Sequence, residues 1–313
     1  MNPLVSIIIP CHNAAPWLAQ TLESALAQTW PKKEIILVDD GSADDSRAIA
    51  RTFEPRGVRV LSQSNLGASV ARNTGLRAAC GDFIQFLDAD DLLTAEKVAQ
   101  QVALLERRGL EHVASCRWGR FEDGLLNARY VDDAVFRDFT PTDFLLLHTR
   151  ENRMMHPAAW LVPSGVTKRA GPWNETLSLN DDGEYFARVV LTSHGIVYSA
   201  EGASLYRSQL PNSLSNRRSR RALESLALSV KLVAHHMLDA EDSPRVRQAL
   251  ADYWQRLAYS VYPEAPDLYR QAVLNVKALG GSSLKLEMGK RQRLFARLVG
   301  WKLTRRVQRR FST

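Results

Sequence analysis

Cysteine is scarce in this chain of 313 residues, and the three present, Cys11, Cys80 and Cys116, lie far apart. Their number and spacing exclude a disulfide framework and a zinc-ligand pattern, which leaves reduced thiols as the expectation. Long hydrophobic runs are missing as well: none approaches the roughly 18 residues that span a bilayer. No basic stretch precedes the short apolar run of MNPLVSIIIPCHN, so that run reads as a first strand rather than a leader. Two nucleotide signatures are also absent. There is no G-x-x-x-x-G-K-[ST] loop, and EMGKRQ (287–292) lacks both the first glycine and the hydroxyl residue. The turn PCHNAAPW after the first strand contains no glycine, which excludes the G-x-G-x-x-G dinucleotide cradle. A diphosphate bound to such a chain needs its charge met by a metal on carboxylates and by arginines.

What is present is an ordinary globular composition, 45% hydrophobic and 24% charged. The net charge of +7 is unevenly spread. Residues 1–215 hold 21 Lys/Arg against 26 Asp/Glu, a balance of −5, whereas residues 216–313 hold 20 against 8, a balance of +12. That asymmetry sets the expected division between a domain over 1–215 and a basic helical region over 216–313.

Apolar strands alternate with helical patterns through the first third. Strands are expected over 4–9, 34–40, 58–62 and 81–89. Amphipathic helices are expected over 16–28, 42–53 with Ser42 as N-cap, 67–80, and 94–108 with Thr94 as N-cap. This alternation implies βαβ units and a mainly parallel sheet flanked by helices. After residue 110 the pattern breaks into longer, proline-punctuated loops. From about 218 onward it is helical, over 218–238, 244–261, 265–279 and 290–310.

In open parallel sheets ligands bind outside the carboxyl ends of the strands. Those ends read PCHN (10–13), DDGS (39–42), SQSN (62–65) and DADD (88–91). The last follows the apolar run FIQFL and places Asp88, Asp90 and Asp91 at one strand exit. Carboxylates are costly to bury unpaired, so water or a cation is expected there.

The blocks VSIIIPCHNAAPWLAQTLESALAQTW, EIILVDDGSADDS, NLGASVARNTGL and GDFIQFLDADD together resemble the nucleotide-binding half of family-2 glycosyltransferases of GT-A fold. The likeness covers about residues 4–92, and it implies that 1–215 divides into a nucleotide-binding half (1–110) and an acceptor-side half (111–215). It resumes more weakly at HPAAWLVP (156–163), AGPWNETLSLNDDGEYFARVV (170–190) and YRSQLPNSLS (206–215). The resemblance implies an inverting, metal-dependent transfer of a sugar from a nucleoside-diphosphate donor, most often UDP-linked, to a hydroxyl acceptor in glycan or glycolipid assembly. Asp88-Ala89-Asp90 matches the family's D-x-D, which puts Asp88 on the nucleotide and Asp90 on Mg²⁺ or Mn²⁺. Pro10, His12, Asp40 and Arg72 fall at nucleotide-binding positions, with Asp40 accepting from the base. The family's E-D pair is here Asp181-Asp182. Asp182 inherits the general-base role, with Glu184 as fallback, because inversion needs a carboxylate to take the acceptor's proton. Trp173, Asp181 and Arg207 are further substrate-side candidates. The family's closing loop often carries a histidine where this chain has Gln209, which puts a second protein metal ligand in question.

The last stretch, GKRQRLFARLVGWKLTRRVQRRF (289–311), holds nine Lys/Arg and no acid. Its rough apolar stripe suits an anionic membrane surface, or docking on the catalytic domain. The expected location is cytoplasmic, peripheral at the inner membrane face. No nucleic-acid motif accompanies the basic helix, so no nucleic-acid partner is expected. Two rivals stand beside the enzyme reading. One is a non-catalytic nucleotide-sugar-binding tether, disfavoured by the intact DD pair. The other is a nucleotidyltransferase, disfavoured by a first turn that lacks the glycine-rich, Lys/Arg-bearing sequence.

Overall fold

The front sheet follows from its strands' composition. VSIIIPC is apolar at nearly every position and EIILVDD through its centre, Ile35 to Val38, as strands covered on both faces must be. In the computed structural model, which describes residues 2–122, 128–130, 132–153, 155–208, 218–286 and 288–311, these runs are β1 (Val5–Cys11) and β2 (Lys33–Asp40). Helix α1 (Ala15–Leu26) joins them and buries Leu18, Leu22 and Ala25. Then come α2 (Ser46–Thr52), β3 (Val58–Gln63), α3 (Ala68–Ala78), β4 (Phe83–Phe86), β5 (Leu92–Leu93) and α4 (Lys97–Arg108). The first sheet has the order β3-β2-β1-β4, all parallel, and is closed by an antiparallel β8 (Val162–Pro163). Helix α3 lies close on β1 because Gly75 has no side chain: a Cβ there would sit 2.3 Å from Ile8 Cγ2.

Both expected N-caps fall elsewhere. Helix α2 starts after Asp45, and Ser42 Oγ instead accepts from the Asn13 amide at 3.0 Å. Helix α4 starts after Glu96, while Thr94 Oγ1 accepts from Ala203 N at 2.8 Å. In each case a long-range partner took the hydroxyl that the local pattern assigned to a cap.

The irregular middle contains a second sheet. Strands β6 (Val113–Phe121) and β7 (Arg129–Tyr130) precede α5 (Pro141–Glu151), and α6 (Ser164–Ala170) and α7 (Asp181–Thr192) follow β8. Strand β9 (Ile196–Arg207) pairs parallel with β6 across a bulge at Cys116/Arg117 and antiparallel with β5, giving the order β5-β9-β6-β7. Strand β9 thereby reaches the turn that leaves β4.

Helices α8 (Arg220–Ala240), α9 (Pro244–Val261), α10 (Pro266–Ala278) and α11 (Lys290–Phe311) complete the chain. The expected division at 215/216 lies outside the described residues. The helices beyond it are not self-contained: Val230, Val233, Trp254 and Leu257 share one buried cluster with Phe86, Trp160, Trp173 and Tyr185. No described helix is long and apolar enough to cross a membrane.

Candidate functional site

The four carboxyl ends converge as the topology requires, and the loops there are fastened to one another. Asp40, at the end of β2, is 3% exposed. Its Oδ1 accepts from Gln63 Nε2 at 2.8 Å and Leu66 N at 2.9 Å, and its Oδ2 accepts from Gly67 N at 2.8 Å. Asp40 therefore shapes the turn into α3, where Gly67 takes φ +102°. Three of its roughly four acceptor positions are occupied. Asp39 accepts from Ser42 N at 3.3 Å, a turn role. His12 is exposed and held from both sides. Its Nε2 receives the side-chain amides of Asn13 and Asn65, each at 3.2 Å, so Nδ1 carries the proton and donates to the Asp40 carbonyl at 2.8 Å. Pro10 is buried within β1, opposite Val38.

Arg72, on α3, joins the two halves of the site. One Nη donates to Asp88 Oδ1 at 2.8 Å and the other to Asp181 Oδ2 at 2.8 Å. The guanidinium is 4.4 Å from the Trp173 ring centroid, a cation–π distance. Ser69 Oγ adds a bond to Asp181 Oδ2 at 2.9 Å. A single buried cation thus brings the D-A-D turn after β4 to the first residue of α7. Asp182 follows, half-buried, its Oδ1 accepting from Gly183 N at 2.8 Å. Burial, then Asp181, pushes its carboxyl up to about 6, although Arg72 pulls the other way.

Asp90 lies two residues on from Asp88, near enough to Arg207 for that cation to favour its charged form. Its carboxylate receives no hydrogen bond from another described residue. Burial, with Asp91 and Asp88 beside it, pushes it up to about 8. Asp91 has a structural post instead: Oδ1 accepts from Arg207 N and Oδ2 faces His156 Nδ1, both at 2.9 Å. His156 Nε2 in turn meets Ser204 Oγ at 2.8 Å. Burial pulls His156 down to about 4, so the ring is neutral between Asp91 and Ser204. Among the described residues, no three His, Cys, Asp or Glu side chains form a ready metal cluster.

Several expected residues sit differently from their expected use. Arg207 is 4% exposed and lies beneath the D-A-D turn. Its Nε donates to the Asp90 carbonyl at 2.9 Å and its Nη atoms to the Glu122 carbonyl and Gln20 Oε1, each at 2.8 Å. It supports the turn from below instead of reaching toward a ligand. Trp173 is 1% exposed and stacks on Tyr185 at 4.1 Å. It offers no open face and forms the floor under Arg72. Arg72 itself is buried with both Nη atoms engaged. Glu184 is held by Arg188 Nε at 2.6 Å and faces His236 Nε2 at 3.3 Å. Burial alone would raise its carboxyl, but His236 and Arg188 bring it below the usual range, a poor setting for a base. Gln209 and the rest of the loop to 215 lie outside the described residues.

Sequence reading missed Ser69, Gln63, Asn65 and the Asp91–His156–Ser204 chain. It also missed the support under α7. Asn180, the N-cap of α7 at φ +58°, donates to Ser229 Oγ at 2.7 Å, and Ser225 Oγ accepts from Ser178 N and Leu179 N at 2.8 and 2.9 Å. The polar end SQSN (62–65) and the HP of HPAAWLVP were the local signals.

Comparison with known proteins bears on the family and the fold. The family model described as "Glycosyl transferase family 2" matches residues 6–162. The uncharacterized glycosyltransferase EpsJ of Bacillus subtilis is 31% identical over 223 residues, which are 69% of this chain and 64% of that protein. The chain thus spans less than two thirds of that relative's length. The crystal structure of Staphylococcus aureus TarS 1-349 in complex with UDP-GlcNAc superposes with a TM-score of 0.72 at 17% identity, covering 98% of this chain and 91% of that one. The mannosyltransferase PcManGT of Pyrobaculum calidifontis, in complex with GDP-Man and Mn²⁺, gives 0.56 at 17%, covering 100% and 88%. A GT-A type sheet with these loops at its carboxyl edge, matched by the family model across half its length, places this chain in glycosyl transferase family 2.

Proposed function

We propose that the protein transfers a sugar, with inversion, from a nucleoside-diphosphate donor to a hydroxyl acceptor in glycan or glycolipid assembly. The observation that carries this reading is the Arg72 bridge, which brings Asp88 of the D-A-D turn and Asp181-Asp182 of α7 to one place. Inverting transfer needs the donor's leaving group and the acceptor's base on opposite sides of one reacting carbon. Asp182 is suited to the base role. Raised to about 6, it is ionised at neutral pH yet more basic than an ordinary carboxylate. It takes the proton from the acceptor hydroxyl as that oxygen bonds to the sugar carbon. The nucleoside diphosphate leaves with the electrons of the broken bond.

The Asp90 carboxylate, which accepts no hydrogen bond from another described residue and lies next to Asp88, fits a divalent cation such as Mn²⁺ or Mg²⁺. Such ions take one or two carboxylates and fill their shell with phosphate oxygens and water. Bound there, the metal supplies charge neutralisation for the departing diphosphate. Asp88 keeps about 29% of its side chain open and serves the nucleotide side. UDP is the favoured donor base because Asp40, an acceptor only, retains one free position that suits an imide N–H. The UDP-GlcNAc complex of TarS points the same way, whereas the GDP-Man complex of PcManGT keeps guanine in play.

A thermal-shift panel of nucleoside diphosphates and their sugars, with and without Mn²⁺, tests this directly. The expected result is metal-dependent stabilisation, largest for one uridine donor, since binding stabilises by mass action. Absence of any stabilisation across the panel removes the enzyme reading.

A further inference from the structure

Residues 289–311 were expected either to dock on the domain or to meet a membrane, and α11 does neither with its whole length. Its helical geometry breaks at Gly300, where φ is 79° and ψ 156°. Immediately after the break, Trp301 inserts among tyrosines at the turn between α9 and α10. Its ring centroid lies 4.9 Å from that of Tyr259 and 5.3 Å from that of Tyr262. Lys302 Nζ is 5.0 Å from the Tyr269 centroid, and Arg306 lies 5.5 Å over Tyr262. Thr304 is 2% exposed on the same side. The second segment is therefore pinned to the body.

The first segment is not pinned by its apolar side chains. Leu294 is 64% exposed and Leu298 81%, with Phe295 and Val299 also exposed. Spacings of one, four and five residues put all four on one stripe of a helix. Leu303 and Val307 add exposed apolar surface beyond the break. More than half of the exposed large apolar side chains among the described residues belong to this one helix. A soluble body seldom leaves such a stripe open without a partner. Around it the sequence supplies nine Lys/Arg and no Asp/Glu between 289 and 311. Cations alone would suit any polyanion, but leucines gain nothing from one. The combination of an apolar stripe and a sequence of unbroken positive charge fits an anionic lipid surface, with the leucines at the acyl boundary.

We infer that α11 is a split membrane foot, fixed to the body at Trp301 and resting the Leu294–Val299 stripe on an anionic bilayer. The inference is independent of the donor and base assignments.

The test is co-sedimentation of the full chain with phosphatidylcholine vesicles, with and without phosphatidylglycerol, at low and high salt. Binding is expected only with the anionic lipid and should weaken as salt rises. Leu294→Glu with Leu298→Glu should lower partition on the order of tenfold or more, since burial of two leucines is lost and charge is opposed. The melting temperature and the nucleotide-induced shift should be unchanged, because both positions are exposed. Wild-type binding by the double variant overturns the inference in favour of a charge-only contact. So does a concentration-dependent dimer, seen by sedimentation velocity and dissolved by the same substitutions, when wild-type protein ignores the vesicles.

Discussion

At the scale of single residues, the acids differ in what surrounds them, and that sorts their roles. Asp182 accepts one hydrogen bond, from Gly183 N, which an asparagine oxygen can also accept. Asp182→Asn is thus a clean loss of base. Turnover is expected to fall about 10²–10⁴-fold with donor affinity by calorimetry unchanged; wild-type turnover would remove the assignment. The pH profile follows from the same carboxyl. Its folded value is raised to about 6, so it is protonated and inactive below that pH and ionised above it. The rate with saturating donor should climb through about pH 6 and level off by neutrality. Asp90→Ala is expected to abolish the Mn²⁺-dependent part of UDP stabilisation with the fold intact, and a full metal-dependent shift would refute the metal role. Asp40→Asn is not equally clean, because both carboxylate oxygens accept N–H donors and an amide NH₂ would face one of them. The acids themselves were legible in the sequence, since runs of carboxylate at strand exits have few innocent uses. Their partners were not: Arg72 meets Asp181 across 109 residues, a pairing no local pattern encodes.

At the scale of elements, α3 holds the site together. It carries Arg72 and Ser69, its start is fixed by Asp40 through Leu66 and Gly67, and it lies against β1 through Gly75. Removing the Arg72 guanidinium leaves Asp88, Asp181 and Asp182 facing one another with no cation. Arg72→Met is expected to destabilise the fold by about 3–5 kcal/mol, toward the lower end because Asp88 stays 29% exposed. Because Arg72 lowers the Asp182 carboxyl, the ascending limb of the pH profile should also move upward in any variant that folds. An unmoved limb in Arg72→Lys and Arg72→Met alike would show that Arg72 acts on packing alone. The first-third elements were readable because doubly covered parallel strands are continuous apolar runs separated by periodic helices. The second sheet was not, because β6 and β9 pair across some eighty residues through a bulge, and β5 and β8 contribute only two residues each.

At the scale of the whole molecule, charge and packing divide the chain differently. The basic excess begins after residue 215, yet the hydrophobic core does not stop there. Helix α8 packs on α7, and its Ser225 and Ser229 hold the backbone and N-cap that precede Asp181. Trp254 and Leu257 of α9 lie in the same cluster as Phe86 and Trp173, the floor of the Arg72 bridge. The helical region therefore acts as a buttress for the base-bearing helix. Two truncations separate this from an appended module. A chain ending at 288 keeps α8–α10 and loses the contacts of Trp301, Lys302 and Arg306 on the tyrosines of the α9–α10 turn, so it should retain a cooperative melt and donor hydrolysis. A chain ending at 217 would expose the apolar faces of α5 and α7 and leave Asn180 without Ser229 and Tyr253. Exposing several large core side chains typically exceeds the whole 5–15 kcal/mol stability of a domain. The expected outcome is an aggregating or molten protein with no nucleotide-induced shift. A folded, UDP-binding 1–217 fragment would instead establish that the site is complete without the helices, and that the change in charge marks a true domain boundary.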